Sequence, residues 1–130
     1  MARTTIDELL AEARSGLIRV TPPQALEAMR SGAVLVDIRS ESQIAADGTV
    51  PGAIPIARNV LEWRLDPASG HRHPDAPALE DRVIVMCQEG YQSSLAAATL
   101  QRLGFAAATD LDGGFLAWRA AGLPVREPAR

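Results

Sequence analysis

The 130-residue chain is short of several residue types, and each shortage removes a class of function. Its one cysteine, Cys87, rules out an intramolecular disulfide, a redox pair of cysteines and a multi-cysteine metal site. All 13 basic residues are arginine, which leaves no lysine for a Schiff base or a general base. The net charge is −3 and no dense basic cluster occurs, so the sequence predicts no nucleic-acid partner.

Long apolar runs are also missing. No run approaches the length that spans a membrane, and the N-terminus lacks the apolar core of a signal peptide. We therefore expect no membrane partner and a cytoplasmic, reducing location. The length suits one domain over residues 1–130, with residues 1–16 as an N-terminal helical extension. Nothing in the sequence indicates a particular oligomeric state.

Short apolar runs alternate with helix signals along the chain. Helices are predicted where capping boxes or apolar stripes of helical period occur, over 5–16, 21–32, 40–47, 93–103 and 115–121. Strands are predicted over 17–20, 34–37, 53–56, 83–86 and 107–111. This alternation is typical of an α/β fold with a mainly parallel sheet and helices on both faces.

Cys87 stands where such folds place their chemistry. It directly follows the strand 83–86, and ligands of open parallel sheets bind beyond the carboxyl ends of the strands. A loop containing Gly90 then leads to a helix that begins at Ser93. Unpaired amides at a helix start, and amides of a curled loop, favour an anion such as a thiolate or the outer sulfur of a persulfide.

The sequence therefore predicts that Cys87 is a nucleophile. The competing interpretation is a buried core cysteine, since free cysteine is among the most buried residue types. The glycine-containing loop and the helix that follows it favour the nucleophile. The amides expected to bind substrate are those of the loop residues Gln88, Glu89, Gly90, Tyr91, Gln92 and Ser93.

Other polar residues have simpler interpretations. Asp37 and Arg39 lie at the end of the strand 34–37, and either they line the site or they form an ion pair that ties strand to loop; we favour the ion pair for Arg39. Ser93 and Ser94 are expected to cap a helix. The histidines at 71 and 73 lie in a loop without nearby cysteine or acidic ligand spacing, so no metal site is predicted.

Four segments together resemble the rhodanese family of sulfurtransferases, over roughly residues 17–126. Val36–Arg39 is similar to the family's "VDVR" segment and Gly48–Ile54 to "GHIPGAI". Cys87–Ser93 resembles the active loop "CxxGxRS". Asp112–Trp118 resembles the closing "GG…W" segment.

The resemblance implies a rhodanese-like α/β fold with a central five-stranded, mainly parallel sheet. It also implies that Cys87 takes sulfane sulfur from a small-molecule or protein-bound donor and passes it, as a persulfide, to a thiophilic acceptor such as cyanide or a thiol. No metal or organic cofactor is implied. The six-residue loop from Cys87 through Gln92 matches the sulfurtransferase members, whereas the related phosphatases have one more residue.

The chain departs from the family pattern at the loop. Gln92 stands where many members have arginine, and Glu89 adds a negative charge. Both changes are expected to weaken the binding of thiosulfate, an anionic donor. Arg58 and Arg64 are candidates to supply the missing positive charge, and Asp37 is a further candidate for the substrate site.

Three alternatives to a thiosulfate-using enzyme stay open. The protein could be a carrier that accepts persulfide sulfur from a partner protein, or a regulatory domain that senses oxidants through Cys87. A phosphatase or arsenate reductase is disfavoured by the loop length.

Overall fold

In a computed structural model that describes residues 2–128, helices and strands alternate along the chain. The helices are α1 (Ile6–Ser15), α2 (Pro22–Arg30), α3 (Glu41–Asp47), α4 (Leu61–Leu65), α5 (Gln92–Arg102) and α6 (Gly114–Ala120), with a 3-10 helix at Arg58–Val60. The strands are β1 (Val34–Asp37), β2 (Ile54–Pro55), β3 (Val83–Met86) and β4 (Thr109–Asp110). The segment 66–78 contains neither helix nor strand.

Capping boxes begin the first three helices, as predicted. The side chains of Thr5, Thr21 and Ser40 each accept a hydrogen bond from the amide three residues further on, and the side chain at that position bonds back. Such a cap satisfies amides that would otherwise lack a partner and stabilises a helix by about 1 kcal/mol.

The four strands form one parallel sheet in the order β2-β1-β3-β4. The central pair is in register from Val34 opposite Val83 to Asp37 opposite Met86. The carboxyl ends of β1 and β3 therefore lie side by side. The α/β class and the parallel sheet covered by helices are confirmed.

The prediction of a fifth strand over 17–20 is wrong. Val20 alone pairs with the sheet, through a parallel bridge to Leu111, and Ile18 is 85 % exposed. The pairing does not extend back through residues 17–19, because the Ile18 carbonyl accepts from the Thr109 hydroxyl at 2.8 Å instead of from a backbone amide of the sheet. Residues 107–111 also form a shorter strand than predicted, the two residues of β4.

Alternation along the strands divides the core into two clusters, one on each face of the sheet. Leu35, Ile84 and Met86 pack with α2 and α6 on one face. Val36, Val85 and Cys87 belong to the opposite cluster, which includes α5. Cys87 thus continues the alternation of β3 and points its side chain to the face that α5 covers.

The N-terminal helix α1 packs on α5, outside the sheet. None of its residues is buried, so its polar side chains are free to reach the surface of the domain. Within residues 2–128, no helix has the length and apolar character needed to cross a bilayer.

Candidate active site

Cys87 lies at the floor of an open cavity of about 370 Å³ at the carboxyl end of β3. Its residue exposure is only 2 %, so a donor must enter the cavity to reach the sulfur. The lining consists of Gln43, Cys87, Gln88, Glu89, Tyr91 and Gln92. The structure thus brings most of the predicted loop residues around the thiol.

The first turn of α6 holds the start of the loop. The Phe115 amide donates to the Cys87 carbonyl at 2.9 Å, and the Leu116 amide donates to the Gln88 carbonyl at 3.1 Å. Gly114 permits this approach, because a Cβ atom there would lie 2.5 Å from the Cys87 carbonyl oxygen. Its φ of +63° also favours glycine. The close contact explains why the first residue of α6 is a glycine.

These contacts turn loop amides away from α6. In a planar trans peptide the C=O and N–H groups point in opposite directions, so a carbonyl bound to α6 aims the amide of the next residue inward. The Gly90 amide donates to Cys87 Sγ at 3.1 Å. Within residues 2–128, the amides of Gln88, Glu89 and Tyr91 donate to no protein group. They are available to bind an anionic substrate.

Gly90 itself could not be another residue. Its φ is +90°, and a Cβ atom would lie 2.7 Å from the Gly113 amide nitrogen. The glycine that suggested a tight loop in the sequence is therefore required both by backbone conformation and by contact with the segment before α6.

One wall of the loop is a buried ion pair after β1. Arg39 Nη2 donates to Asp37 Oδ2 at 2.8 Å, and neither residue is more than 1 % exposed. The Arg39 guanidinium lies 3.9 Å from the centre of the Phe115 ring. Its Nη1 reaches Gln88 Oε1 at 3.3 Å, and Gln88 Nε2 donates to Asp47 at 2.6 Å. Arg39 and Asp47 together hold the Gln88 side chain. Asp37 itself does not line the cavity.

The opposite wall is a network around the buried carboxylate of Asp110. Ser93 and Ser94 donate their hydroxyls to Asp110 Oδ2 at 2.7 and 2.8 Å. The expectation that these serines cap the helix is therefore wrong. Tyr91 is the N-cap residue of α5 and makes no side-chain cap bond. The hydroxyls turn instead to a carboxylate that is 0 % exposed and needs donors.

Two arginines that the sequence did not single out complete this wall. Arg19 Nε bonds Asp110 at 2.9 Å, and Arg14 Nε bonds the Ser94 hydroxyl at 3.0 Å. Each also donates an Nη2 proton to the Gly90 carbonyl. No local spacing could reveal these contacts, because the partners are 71 or more residues apart in the chain.

Burial lowers the pKa of Arg19, but its hydrogen bond to Asp110 and the negative charges of Asp110, Asp112 and Cys87 raise it above its ordinary value. Arg19 therefore stays protonated behind the loop at any physiological pH.

Arg58 and Arg64 lie outside the cavity lining. Arg58 Nη1 pairs with Glu62 at 2.9 Å, and Arg64 Nη1 donates to the His71 carbonyl at 2.9 Å. Among the described residues that line the cavity, Glu89 alone carries a full charge. Across residues 2–128, no three histidine, cysteine or acidic side chains are grouped to hold a metal ion.

Such an arrangement suits transfer of a group to and from sulfur. A buried thiol accepts one amide, and three further amides of the same loop donate to no protein group within residues 2–128. An anionic sulfur can therefore be held without a metal and without a general base in contact with it.

Known proteins that are similar to this chain include enzymes named for sulfur transfer. The family model for the rhodanese-like domain matches residues 21–121. Thiosulfate sulfurtransferase GlpE of Ectopseudomonas mendocina is 39 % identical over 102 residues, which cover 78 % of this chain and 84 % of that protein.

Solved structures share the fold. A protein of unknown function from Rhodopseudomonas palustris, described as a possible tyrosine phosphatase, superposes with a TM-score of 0.86 at 35 % identity, covering 97 % of this chain and 99 % of that one. A polysulfide-sulfur transferase from Wolinella succinogenes has a TM-score of 0.73 at 23 % identity, covering 93 % and 86 %. The chain belongs to the rhodanese-like domain family.

Proposed function

We propose that this protein is a rhodanese-type sulfurtransferase in which Cys87 carries the sulfur as a persulfide. The observation that supports this most strongly is the position of Cys87 Sγ, which accepts the Gly90 amide at 3.1 Å on the floor of a cavity. The inward amides of Gln88, Glu89 and Tyr91 would then bind the outer sulfur of the persulfide. The relatives named as thiosulfate sulfurtransferases support the same reaction class.

The reaction is two displacements at divalent sulfur. The Cys87 thiolate attacks the outer sulfur of a donor, the sulfur–sulfur or sulfur–sulfonate bond of the donor breaks, and a thiolate or sulfite leaves with the electron pair. Cyanide or an acceptor thiolate then attacks the outer sulfur of the persulfide. The Cys87–sulfur bond breaks, and the thiolate is restored with no net oxidation of the protein.

The charge of the cavity bears on the donor. Thiosulfate is a dianion, while Glu89 is the charged side chain at the cavity and Gln92 is neutral. A persulfide carried on a small thiol or on a protein brings less negative charge to the sulfur that reacts. We propose that such persulfides are better donors than thiosulfate, with cyanide and thiols as acceptors.

The test is turnover with two donors. Thiocyanate formation from cyanide is measured with thiosulfate and with a small-molecule persulfide, for the natural protein and for Cys87→Ser. Above the uncatalysed reaction of cyanide with each donor, we expect turnover with both donors, a higher kcat/KM for the persulfide, and none with Cys87→Ser. Turnover by the serine variant would overturn the assignment of Cys87.

The name of the Rhodopseudomonas relative makes a phosphatase the second candidate. A phosphate ester needs positive charge for its oxygens, and the described cavity lining offers Glu89 and neutral groups. We therefore expect no hydrolysis of an aryl phosphate. Hydrolysis that is lost in Cys87→Ser would establish the phosphatase instead.

We also propose that residues 1–130 act as one domain in the cytoplasm. The contact of α1 with α5 and the reach of Arg14 to the loop support an N-terminal extension that is part of the domain. A thiol that must stay reduced to react supports a reducing compartment.

A further inference from the structure

The carbonyl oxygen of Gly90 accepts hydrogen bonds from two arginines that lie outside the residues matched by the family model. Arg14 Nη2 lies 2.8 Å and Arg19 Nη2 lies 2.9 Å from this oxygen. Arg14 belongs to α1 and Arg19 precedes α2, whereas the family match begins at residue 21. Both contacts thus come from residues that precede the family match.

Each arginine is fixed by a second anchor on the wall behind the loop. Arg19 holds both oxygens of Asp110, at 2.9 and 3.2 Å. Arg14 Nε donates to the Ser94 hydroxyl at 3.0 Å, and that hydroxyl donates in turn to Asp110. Two bonds from each guanidinium leave little freedom of rotation, so the Gly90 carbonyl is held on the outer side of the loop.

The position of that carbonyl decides where the next amide points. The Gly90–Tyr91 peptide is trans, so its N–H is directed opposite to its C=O. A carbonyl held by Arg14 and Arg19 therefore turns the Tyr91 amide away from them, into the loop that curls around Cys87. Arg14 also lies 5.8 Å from the centre of the Tyr91 ring, which restrains the same residue.

The two arginines also place positive charge behind this peptide. The negative charge of Cys87 is one of the causes that raise the pKa of Arg19, so Arg19 and the Cys87 sulfur interact across the loop. A guanidinium behind the loop attracts an anionic group held within the loop. A guanidinium bound to a carbonyl oxygen also polarises the peptide and strengthens its N–H as a donor.

We propose that Arg14 and Arg19 are positioning residues that orient the Gly90–Tyr91 peptide toward Cys87 and stabilise the anionic sulfur there, both as thiolate and as persulfide. They compensate from behind the loop for the neutral Gln92 within it. The persulfide part of this proposal rests on the proposed function. The thiolate part does not, because a thiolate forms whether or not sulfur is transferred.

Other charged groups around the site have partners of their own. Asp37 pairs with Arg39, Asp112 with Arg19, and Asp47 with Gln88. The groups that approach the loop from the elements packed around it are Arg14, Arg19, Asp37, Arg39, Asp47, Glu89, Asp110 and Asp112. A change of Arg14 leaves the remaining ion pairs intact, which makes it the cleanest variant.

The test is the pH dependence of alkylation of Cys87 by iodoacetamide in Arg14→Gln, Arg19→Lys and the natural protein. We expect both variants to move the midpoint of the profile to higher pH. Below that midpoint, alkylation should slow by about threefold to tenfold in Arg14→Gln, since a tenfold change corresponds to one pH unit. A merely structural arginine would lower thermal stability without moving the midpoint.

Arg72→Gln is the matched control. Arg72 also donates to two loop carbonyls, those of Ala76 and Pro77, but in the segment 66–78. The Arg72→Gln substitution removes the same charge and a similar pair of hydrogen bonds to carbonyls. Its alkylation profile should superpose on that of the natural protein. An Arg14→Gln profile that superposes on the Arg72→Gln profile, with the fold intact by circular dichroism, would overturn the proposal.

The persulfide part has its own measurement. After loading with a small-molecule persulfide and removal of the excess, an acceptor thiol is added, and we expect it to take the outer sulfur about threefold to tenfold faster from Arg14→Gln than from Arg72→Gln. Equal rates of loss would overturn stabilisation of the persulfide. Failure of every protein to load, with a shifted alkylation profile in Arg14→Gln, would overturn the proposed function and leave the thiolate part standing.

Discussion

The two walls of the active loop use arginine in opposite ways. On the β1 side, Arg39 and its partner Asp37 are almost wholly buried, and the pair holds a side chain, that of Gln88. On the β4 side, the Arg19 side chain is 18 % exposed and, with Arg14, holds a backbone carbonyl. The difference indicates that the β1 wall maintains the fold, whereas the β4 wall adjusts the chemistry of the sulfur.

The largest expected effect is on the β1 wall. Arg39→Met leaves the buried Asp37 carboxylate without its cation and should lower the free energy of unfolding by about 3–5 kcal/mol. Urea denaturation measures this. The double variant Asp37→Leu/Arg39→Met should recover much of the loss, because no unpaired charge remains. A loss below about 1 kcal/mol in the single variant would remove the contrast between the walls.

Gly114→Ala comes next, since it acts on the loop itself. Its Cβ would collide with the Cys87 carbonyl oxygen, so the loop must shift and sulfur transfer should fall by about tenfold or more. Gly122→Ala is the matched control, with a similar φ of +73° and no atom within 4 Å of the added Cβ. It should cost about 1–2 kcal/mol of stability and leave transfer unchanged. Equal activity of the two variants would contradict the close packing of loop on α6.

The sequence predicts the middle of this site well. The strand 83–86, Cys87 and the helix after it are local features, as are the capping boxes at Thr5, Thr21 and Ser40. The functional residues on the β4 wall could not be predicted in this way. Their contacts join residues that are far apart in the chain. The packing of α1 on α5 places Arg14, and the pairing of Val20 with Leu111 places Arg19.

The fifth strand and the serine caps were mispredicted for related reasons. The run 17–20 has strand-like residues, but the Thr109 hydroxyl takes the Ile18 carbonyl that a strand would offer to a backbone amide, and Val20 alone pairs with the sheet. Ser93 and Ser94 have the residue type of helix caps, but a buried carboxylate competes for their hydroxyls. In both cases a tertiary partner overrides a local preference.

Substitutions that change the charge at the mouth of the cavity should change how well thiosulfate binds. Gln92→Arg adds a cation where a thiosulfate donor would enter, and Glu89→Gln removes a repulsive charge. Each should lower the KM for thiosulfate by about threefold to fivefold, since exposed charge pairs contribute up to about 1 kcal/mol net. Steady-state kinetics at low salt measures this, and Gln92→Met is the control that adds no charge. An unchanged KM would show that the cations behind the loop already suffice.

The smallest effect is expected at the arginines outside both walls. Arg58 forms a half-buried i,i+4 pair with Glu62, and such pairs contribute about 0.3–0.5 kcal/mol. Arg58→Gln and Arg64→Gln should therefore change stability by less than about 1 kcal/mol and leave the KM for thiosulfate unchanged. A severalfold rise in this KM would indicate that these arginines contribute positive charge to the binding of the donor.

The central claim is that Cys87 carries the sulfur, and intact-protein mass spectrometry tests it most directly. The natural protein and Cys87→Ser are exposed to thiosulfate, a small-molecule persulfide and a polysulfide in parallel, and cyanide is then added. We expect a mass gain of one sulfur atom that cyanide removes as thiocyanate, in the natural protein alone. No gain with any donor, or the same gain in Cys87→Ser, would contradict it.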